Sequence, residues 1–201
     1  VRTSVLSIVL IVAFSFIVGY ILSRIHFKLN RVIYVMFLMG MLIPIHSLLV
    51  PIYVVFKKCG LSNRWFTLLL PYVSFGLPMG IFLVEGYVKT IPVSLEEAAA
   101  IDGATPWQAD RYITLPLMRN VCGTCVTLAS VAMVSQFDII YMTTKGGPGT
   151  STLNLPIYLY KAATLENNYG KANAVGVVQI IIGITLVILI KGLFREKKEA
   201  A

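Results

Sequence analysis

Two cysteines three positions apart, Cys122 and Cys125, form a C-x-x-C, the spacing at which paired thiols carry out redox chemistry or hold a metal. No second pair and no nearby histidine completes a ligand set. The flanking residues are small, and small residues where helices meet account for the pattern equally well. His26 falls in a short basic loop, and His46 inside an apolar run reads as a packed polar residue or a pathway residue. Lys145-Gly146-Gly147-Pro148-Gly149 lacks the G-x-x-x-x-G-K-[ST] order of a phosphate loop and reads as a turn. No nucleotide is therefore expected to bind to this chain. No catalytic triad or paired-carboxylate arrangement stands out. What remains are polar groups inside apolar runs, which are costly there and often functional. Ser135, Gln136, Asp138, Tyr141 and Gln179 are the candidates for touching a polar solute, with Tyr72 and Phe75 offering aromatic faces. Helix–helix hydrogen bonding explains Ser135 and Gln179 just as well.

The elements that position these groups are set by the gaps between charges. Of 201 residues, 57% are hydrophobic and 13% charged, and the mean hydropathy is +0.82. An ordinary soluble domain carries about 25% charged residues. Five intervals of 18 to 25 residues contain no Lys, Arg, Asp or Glu. A helix needs about 20 apolar residues to cross a bilayer. The spacing predicts spans over 3–23, 32–56, 65–84, 121–142 and 172–190. Pro44, Pro51, Pro71 and Pro78 predict bends in the second and third. The net charge of +8 reads as basic loops gathered on one face of a membrane, with no nucleic-acid partner expected. Ten Lys and Arg fall on the side of the 85–120 loop and the C-terminus, Arg195, Lys197 and Lys198 among them, and seven on the other. That places the 85–120 loop in the cytoplasm and the 143–171 loop outside. Val1 in place of Met, and an odd number of spans, predict one further helix ahead of the chain, six spans in all.

The 85–120 loop is too polar and proline-rich to span, and its helix signals are locally strong. Ser94-Leu95-Glu96-Glu97 fits a capping box, followed by Ala98, Ala99 and Ala100 as helix formers. Gly103 suits a helix terminus that needs positive φ. Thr105-Pro106-Trp107-Gln108 is a second capping box with proline at the first helical position. This second helix is expected to weaken before Pro116. The loop reads as two short helices joined by a glycine turn at the membrane surface. Ala98 and Ala99 form a face of small side chains, and Leu95, Ile101, Trp107 and Tyr112 are apolar anchors.

Glu97-Ala98-Ala99, three residues, Gly103, nine residues, then Ile113-Thr114-Leu115-Pro116 resembles the signature loop of binding-protein-dependent ABC importer permeases. The resemblance extends over nearly the whole chain. FGLPMGIFLVEGYVKT and IPVSLEEAAAIDGAT are most similar to the maltose and multiple-sugar permeases. It implies an all-α polytopic transmembrane bundle of the type I importer kind, one permease domain over 1–201, in the bacterial cytoplasmic membrane. In such permeases the loop docks on a separate ATP-hydrolysing subunit. Carried over, Glu97, Ala98, Ala99 and Gly103 form the docking turn, and Ile113, Leu115 and Pro116 tie it to the next span. The implied partners are ABC ATPase subunits that bind the ATP and Mg, a second permease subunit, an identical or a distinct one, an extracytoplasmic solute-binding protein and the lipid bilayer. The chain itself is then no enzyme and holds no cofactor, and the solute is a sugar or small oligosaccharide. Two alternatives stand beside this: another solute such as a polyol or glycerol phosphate, and a membrane redox protein using Cys122 and Cys125. Asp110 stands where the family usually has an aromatic residue and reads as facing water or making a polar contact to the ATPase; Asn120 stands where proline is common. FDIIYMTTKGGPGTSTLNLPIYLYKAA resembles an outer loop of the companion permease subunit.

Overall fold

The computed structural model describes residues 2–62 and 64–194, whose regular elements are all helical with no strand among them. Helix α1 (Arg2–Arg24) is followed by α2 (Asn30–Leu42), α3 (Ile45–Lys58), a 3-10 turn at Trp65–Leu68 and α4 (Leu69–Val88). Then come α5 (Val93–Ile101), α6 (Pro106–Ala109), a π-turn (Asp110–Thr114), α7 (Leu115–Leu117) and α8 (Arg119–Ser135). Helices α9 (Asp138–Thr143), α10 (Leu155–Thr164) and α11 (Tyr169–Phe194) complete the described chain. The helix hairpin of residues 93–117 lies at one end of the bundle, here called the hairpin end. The basic residues Arg195, Lys197 and Lys198 lie outside the described residues.

Helices α1 and α4 form the centre. Helix α1 buries one stripe, Ser7, Ile11, Ser15, Gly19 and Leu22, with every third or fourth residue turned inward. Val5, Val9, Phe14, Ile17 and Ile21 stay outside, as suits a lipid-facing surface. A β-carbon added at Gly19 would lie 2.7 Å from Val84 Cγ1; at Gly76 it would strike Ile11, and at Gly80 the Ser15 side chain. These glycines let the two backbones approach closely, the main source of helix association where lipid removes the hydrophobic drive. The pairs 11 with 76, 15 with 80 and 19 with 84 keep a constant offset of 65, so α1 and α4 run parallel.

Two parallel neighbours require the chain to return between them. It does so through α2 and α3, bent by 97° where Pro44 caps α3. The sequence predicts one bent span here; the structure gives two helices, because Ile43 and Pro44 both take extended backbone angles. Lys89 Nζ sits 5.6 Å over the Tyr34 ring at the hairpin end, Gly40 faces Pro78 midway, and Ile45 and Leu49 pack into the far-end core. Helix α8 leaves the hairpin end and α11 returns to it, with Phe194 against Gly123 and Arg119 Nη2 donating to the Leu193 carbonyl at 2.6 Å. The described chain thus traverses the bundle five times. Three helices are long and apolar enough to cross a membrane singly; α2 with α3, and Pro106–Leu117 with Arg119–Ser135, are bent pairs whose length and composition suit a broken span or a re-entrant loop.

The predicted fourth span, 121–142, is also discontinuous: α8 stops at Ser135 and α9 begins at Asp138. Gln136 is extended, and its freed carbonyl accepts a hydrogen bond from Asn154 Nδ2, which makes the break tolerable inside an apolar layer. Asn154 also caps α10, its Oδ1 accepting from the Ile157 N–H at 3.2 Å. Two cores follow: Val84, Val88, Ile91, Met118, Val121 and Cys125 at the hairpin end, and Leu68, Tyr72, Ile139, Ile140 and Ile157 at the far end.

Candidate functional site

The hairpin is closed by two local devices. Gly103 adopts φ of +84°, and its N–H donates to the Ala100 carbonyl at 3.1 Å. The Ala104 N–H reaches the Ala99 carbonyl at 2.9 Å, completing a Schellman motif on α5. Thr105 then forms the expected capping box: its N–H donates to Gln108 Oε1 at 2.7 Å and the Gln108 N–H donates to its Oγ1 at 3.4 Å. The other expected box does not form. Pro92 is extended and α5 begins at Val93, so Ser94 already has helical angles and cannot act as a cap.

Beyond α6 the helix continues past the expected weak point. The Leu115 N–H donates back to the Asp110 carbonyl, a π-turn that widens the coil just ahead of Pro116. Pro116 has no N–H, and its ring crowds the carbonyl four residues back, so the wider turn lets the helix run on. The 59° bend comes at Met118 instead.

Of the residues expected to dock, Glu97, Ala98 and Gly103 are exposed, Ala99 is buried under the Schellman turn, and Ile113 is half-buried. Leu115 and Pro116 are exposed at the joint with the next span. Around them stand Ile101, Tyr112 and Trp107, at 87%, 71% and 67% exposure. Trp107 borders a groove with Phe16, Ile17 and Tyr20 of α1, whereas the rest of the described chain leaves Ile101 and Tyr112 uncovered.

Sequence reasoning missed the residues that hold the hairpin against α1. Arg24 Nη2 lies 2.9 Å from Glu96 Oε1 and donates to the Ile91 carbonyl at 3.0 Å. Thr114 Oγ1 donates to the same Glu96 oxygen at 3.3 Å. Asp110 does not simply face water: its Oδ1 accepts from the Tyr20 hydroxyl at 2.5 Å. The contacts made by Tyr20 and Arg24 join positions 67 to 90 residues apart, which no local spacing reveals. The one legible hint is that Tyr20 and Arg24 stand four apart at the end of an apolar run.

The polar residues of the spans fall into three places. Gln136, Asp138 and Tyr141 gather at the break between α8 and α9. There Tyr141 stacks on Phe137 at 5.1 Å and meets Tyr160 edge-on at 5.0 Å. Asp138 Oδ2 is 3.9 Å from His46 Nδ1. Tyr72 is packed in the far-end core, with Phe75 partly buried against it. Ser135 and Gln179 line a separate, largely apolar cleft of about 390 Å³ between α8 and α11. Cys125 is buried in the hairpin-end core and Cys122 is half-buried; both are free thiols. Lys145 to Gly149 form a turn held by Thr152 Oγ1, which donates to the Gly147 carbonyl at 2.7 Å.

A chain that crosses five times and carries a capped hairpin at one end can be compared as a whole. Residues 6–196 match the family of binding-protein-dependent transport system inner membrane components. The chain belongs to that family. It is therefore a multi-pass protein of the bacterial inner membrane. It is 30% identical over 191 residues to the multiple sugar-binding transport system permease protein MsmG of Streptococcus mutans, covering 93% of this chain and 68% of that one. It is 29% identical over 189 residues to the maltose/maltodextrin transport system permease protein MalG of Vibrio vulnificus, covering 90% and 64%. A Caldicellulosiruptor relative is 36% identical over 157 residues, and this chain spans 57% of its length. Among solved structures, a bacterial ABC transporter involved in import of the acidic polysaccharide alginate superposes with a TM-score of 0.73 at 15% identity, over 98% of this chain and 77% of that one. The MetNI methionine ABC transporter superposes with the same score at 22% identity, over 96% and 90%. At such identities these two likenesses establish the inner membrane component's fold.

Proposed function

We propose that this chain forms one membrane half of an ATP-driven importer and couples a partner's ATP hydrolysis to movement of its own helices. The observation that carries the reading is the hairpin, with a Schellman turn at one side, a capping box at the other, and Ile101, Trp107 and Tyr112 turned outward. An element closed at both ends moves as a unit, which is what transmission of a push requires. In this reading the hairpin end is cytoplasmic and docks on an ABC ATPase subunit through Glu97, Ala98 and Gly103, with Ala99 packed behind them. Ile113, Leu115 and Pro116 pass the motion to α8. ATP and Mg are held by the ATPase, and a second permease subunit completes the translocation pathway.

The solute is proposed to be a sugar or small oligosaccharide delivered by an extracytoplasmic binding protein. Support comes from the relatives named for multiple sugars and for maltose and maltodextrin. Within the chain, the break at Gln136 is followed by a carboxylate, Asp138, and flanked by the ring cluster of Phe137, Tyr141 and Tyr160, groups suited to hydroxyls and to sugar rings. Ser135 and Gln179 offer further polar groups along the α8–α11 cleft, and Tyr72 supports the break from the far-end core.

The test is purification of the full permease with its ATPase and binding protein, followed by ATPase assays in vesicles. ATPase stimulated by binding protein with maltose or another oligosaccharide is the expected result. Stimulation by glycerol phosphate or a polyol alone would transfer the reading to that solute, and failure to recruit any ATPase would overturn it.

A further inference from the structure

The hairpin is joined to the bundle by more than its covalent ends. Its chain connections run to α4, through residues 89–92, and to α8, through Met118. Helix α1 lies outside that path, yet it makes side-chain contacts with both arms of the hairpin. Tyr20 and Arg24 stand on one face, one helical turn apart. Arg24 holds Glu96 on α5 and the Ile91 carbonyl at the exit of α4. Tyr20 holds Asp110 at the start of the π-turn. Glu96 is shared, because Thr114 on the second arm donates to the oxygen that faces Arg24. One guanidinium, one phenol and two carboxylates therefore join α1, the α4 exit and both arms. The Arg24 and Glu96 side chains are only 12% and 22% exposed, so water competes weakly for these bonds.

We infer that Tyr20, Arg24, Glu96 and Asp110 form a clamp that transfers displacement of the hairpin directly to α1. Helix α1 is locked along its length to α4 by the close approaches at Gly19, Gly76 and Gly80. A push on the hairpin consequently moves α1 and α4 together, and does not dissipate in the 89–92 link. Asp110 is central, because a charged acceptor at the wide π-turn gives the second arm its own attachment. These are positioning residues: each acts through the hairpin and none is placed against solute or nucleotide.

The inference rests on the importer reading, and the test separates the two. The full complex is assembled with Arg24→Ala, Glu96→Ala, Tyr20→Phe, Asp110→Asn, and the exchange Arg24→Glu with Glu96→Arg. ATPase content, basal hydrolysis and solute moved per ATP are measured on equal amounts of complex. Arg24→Ala and Glu96→Ala are expected to retain the ATPase and basal hydrolysis while solute moved per ATP falls about ten-fold, the weight of one hydrogen bond to a charged group. The exchanged pair should recover part of that loss, and Asp110→Asn, which keeps an acceptor for Tyr20, should lose less than Tyr20→Phe. A purely structural role would lower the yield of complex and leave the ratio of transport to hydrolysis unchanged. Unchanged ratios in Arg24→Ala and Tyr20→Phe would overturn the clamp. Where Arg24→Ala fails to assemble, Tyr20→Phe, lacking a single oxygen, decides alone. Wild-type chain that recruits no ATPase would overturn the importer reading itself.

Discussion

Gly103 holds a conformation that only a residue without a β-carbon adopts freely, although the space around it is open. A side chain there meets no neighbour, so the penalty lies in the backbone alone. Gly103→Ala should destabilise the turn by about 1 kcal/mol, since the left-handed region is strained by that order for L-residues. Gly103→Pro is more severe: its ring cannot reach φ of +84°, and it removes the N–H given to the Ala100 carbonyl. That variant should insert into the membrane normally and abolish transport, read by comparing its level in membranes with solute uptake. Thr105→Ala removes the oxygen that accepts from Gln108 and should cost about 1 kcal/mol of hairpin stability. Faster amide exchange at residues 105–109 would report that loss, and unchanged exchange would contradict it. Replacing both Cys122 and Cys125 with Ser should leave uptake intact, because Cys125 lies in an apolar core with no task beyond filling it.

At the scale of elements, the association of α1 with α4 depends on glycines, and its prediction has a sign at each. Gly80→Leu places a branched chain where Ser15 already stands and should destabilise the pair by about 1–3 kcal/mol. Gly86→Ala, with nothing nearby, should be neutral or stabilising by up to about 1 kcal/mol. Thermal unfolding in detergent distinguishes the two, and equal shifts would contradict the packing. The helices themselves were readable in advance. Charge gaps marked five spans, and Gly103 and Thr105-Pro106 marked the hairpin, because caps and turns follow from adjacent residues. The misreadings arose where a neighbour decided. Ser94 looked like a cap until Pro92 started the helix earlier, and Pro116 looked like a stop until a π-turn absorbed it. The break at Gln136 carried no local proline or glycine, since its stability comes from Asn154, 18 residues on. The clamp on Arg24 and Asp110 was invisible for the same reason.

For the whole molecule, the parallel run of α1 and α4 fixes the number of passages, and α2 with α3 must carry the chain back across despite their sharp bend. The far end and the hairpin end then face opposite sides of the membrane. Cys59, exposed after α3 at the far end, should react with a membrane-impermeant maleimide in intact cells. A cysteine placed at Gly103 in a chain lacking the native thiols should react only after permeabilisation. The reverse pattern would invert the proposed orientation, and labelling of both from one side would remove the α2–α3 passage. The same parallel arrangement has an electrostatic result. Each helix carries a macrodipole with about half a negative charge at its C-terminus. Helices α1 and α4 place both negative poles together at the hairpin end, where the N-termini of α2 and α8 oppose them in part. Arg24, reaching the Ile91 carbonyl, and Lys89, paired with Glu85, sit at those poles. The cations at this end thus serve two acceptors at once, a carboxylate and a helix pole, whether or not a second protein is docked beneath them.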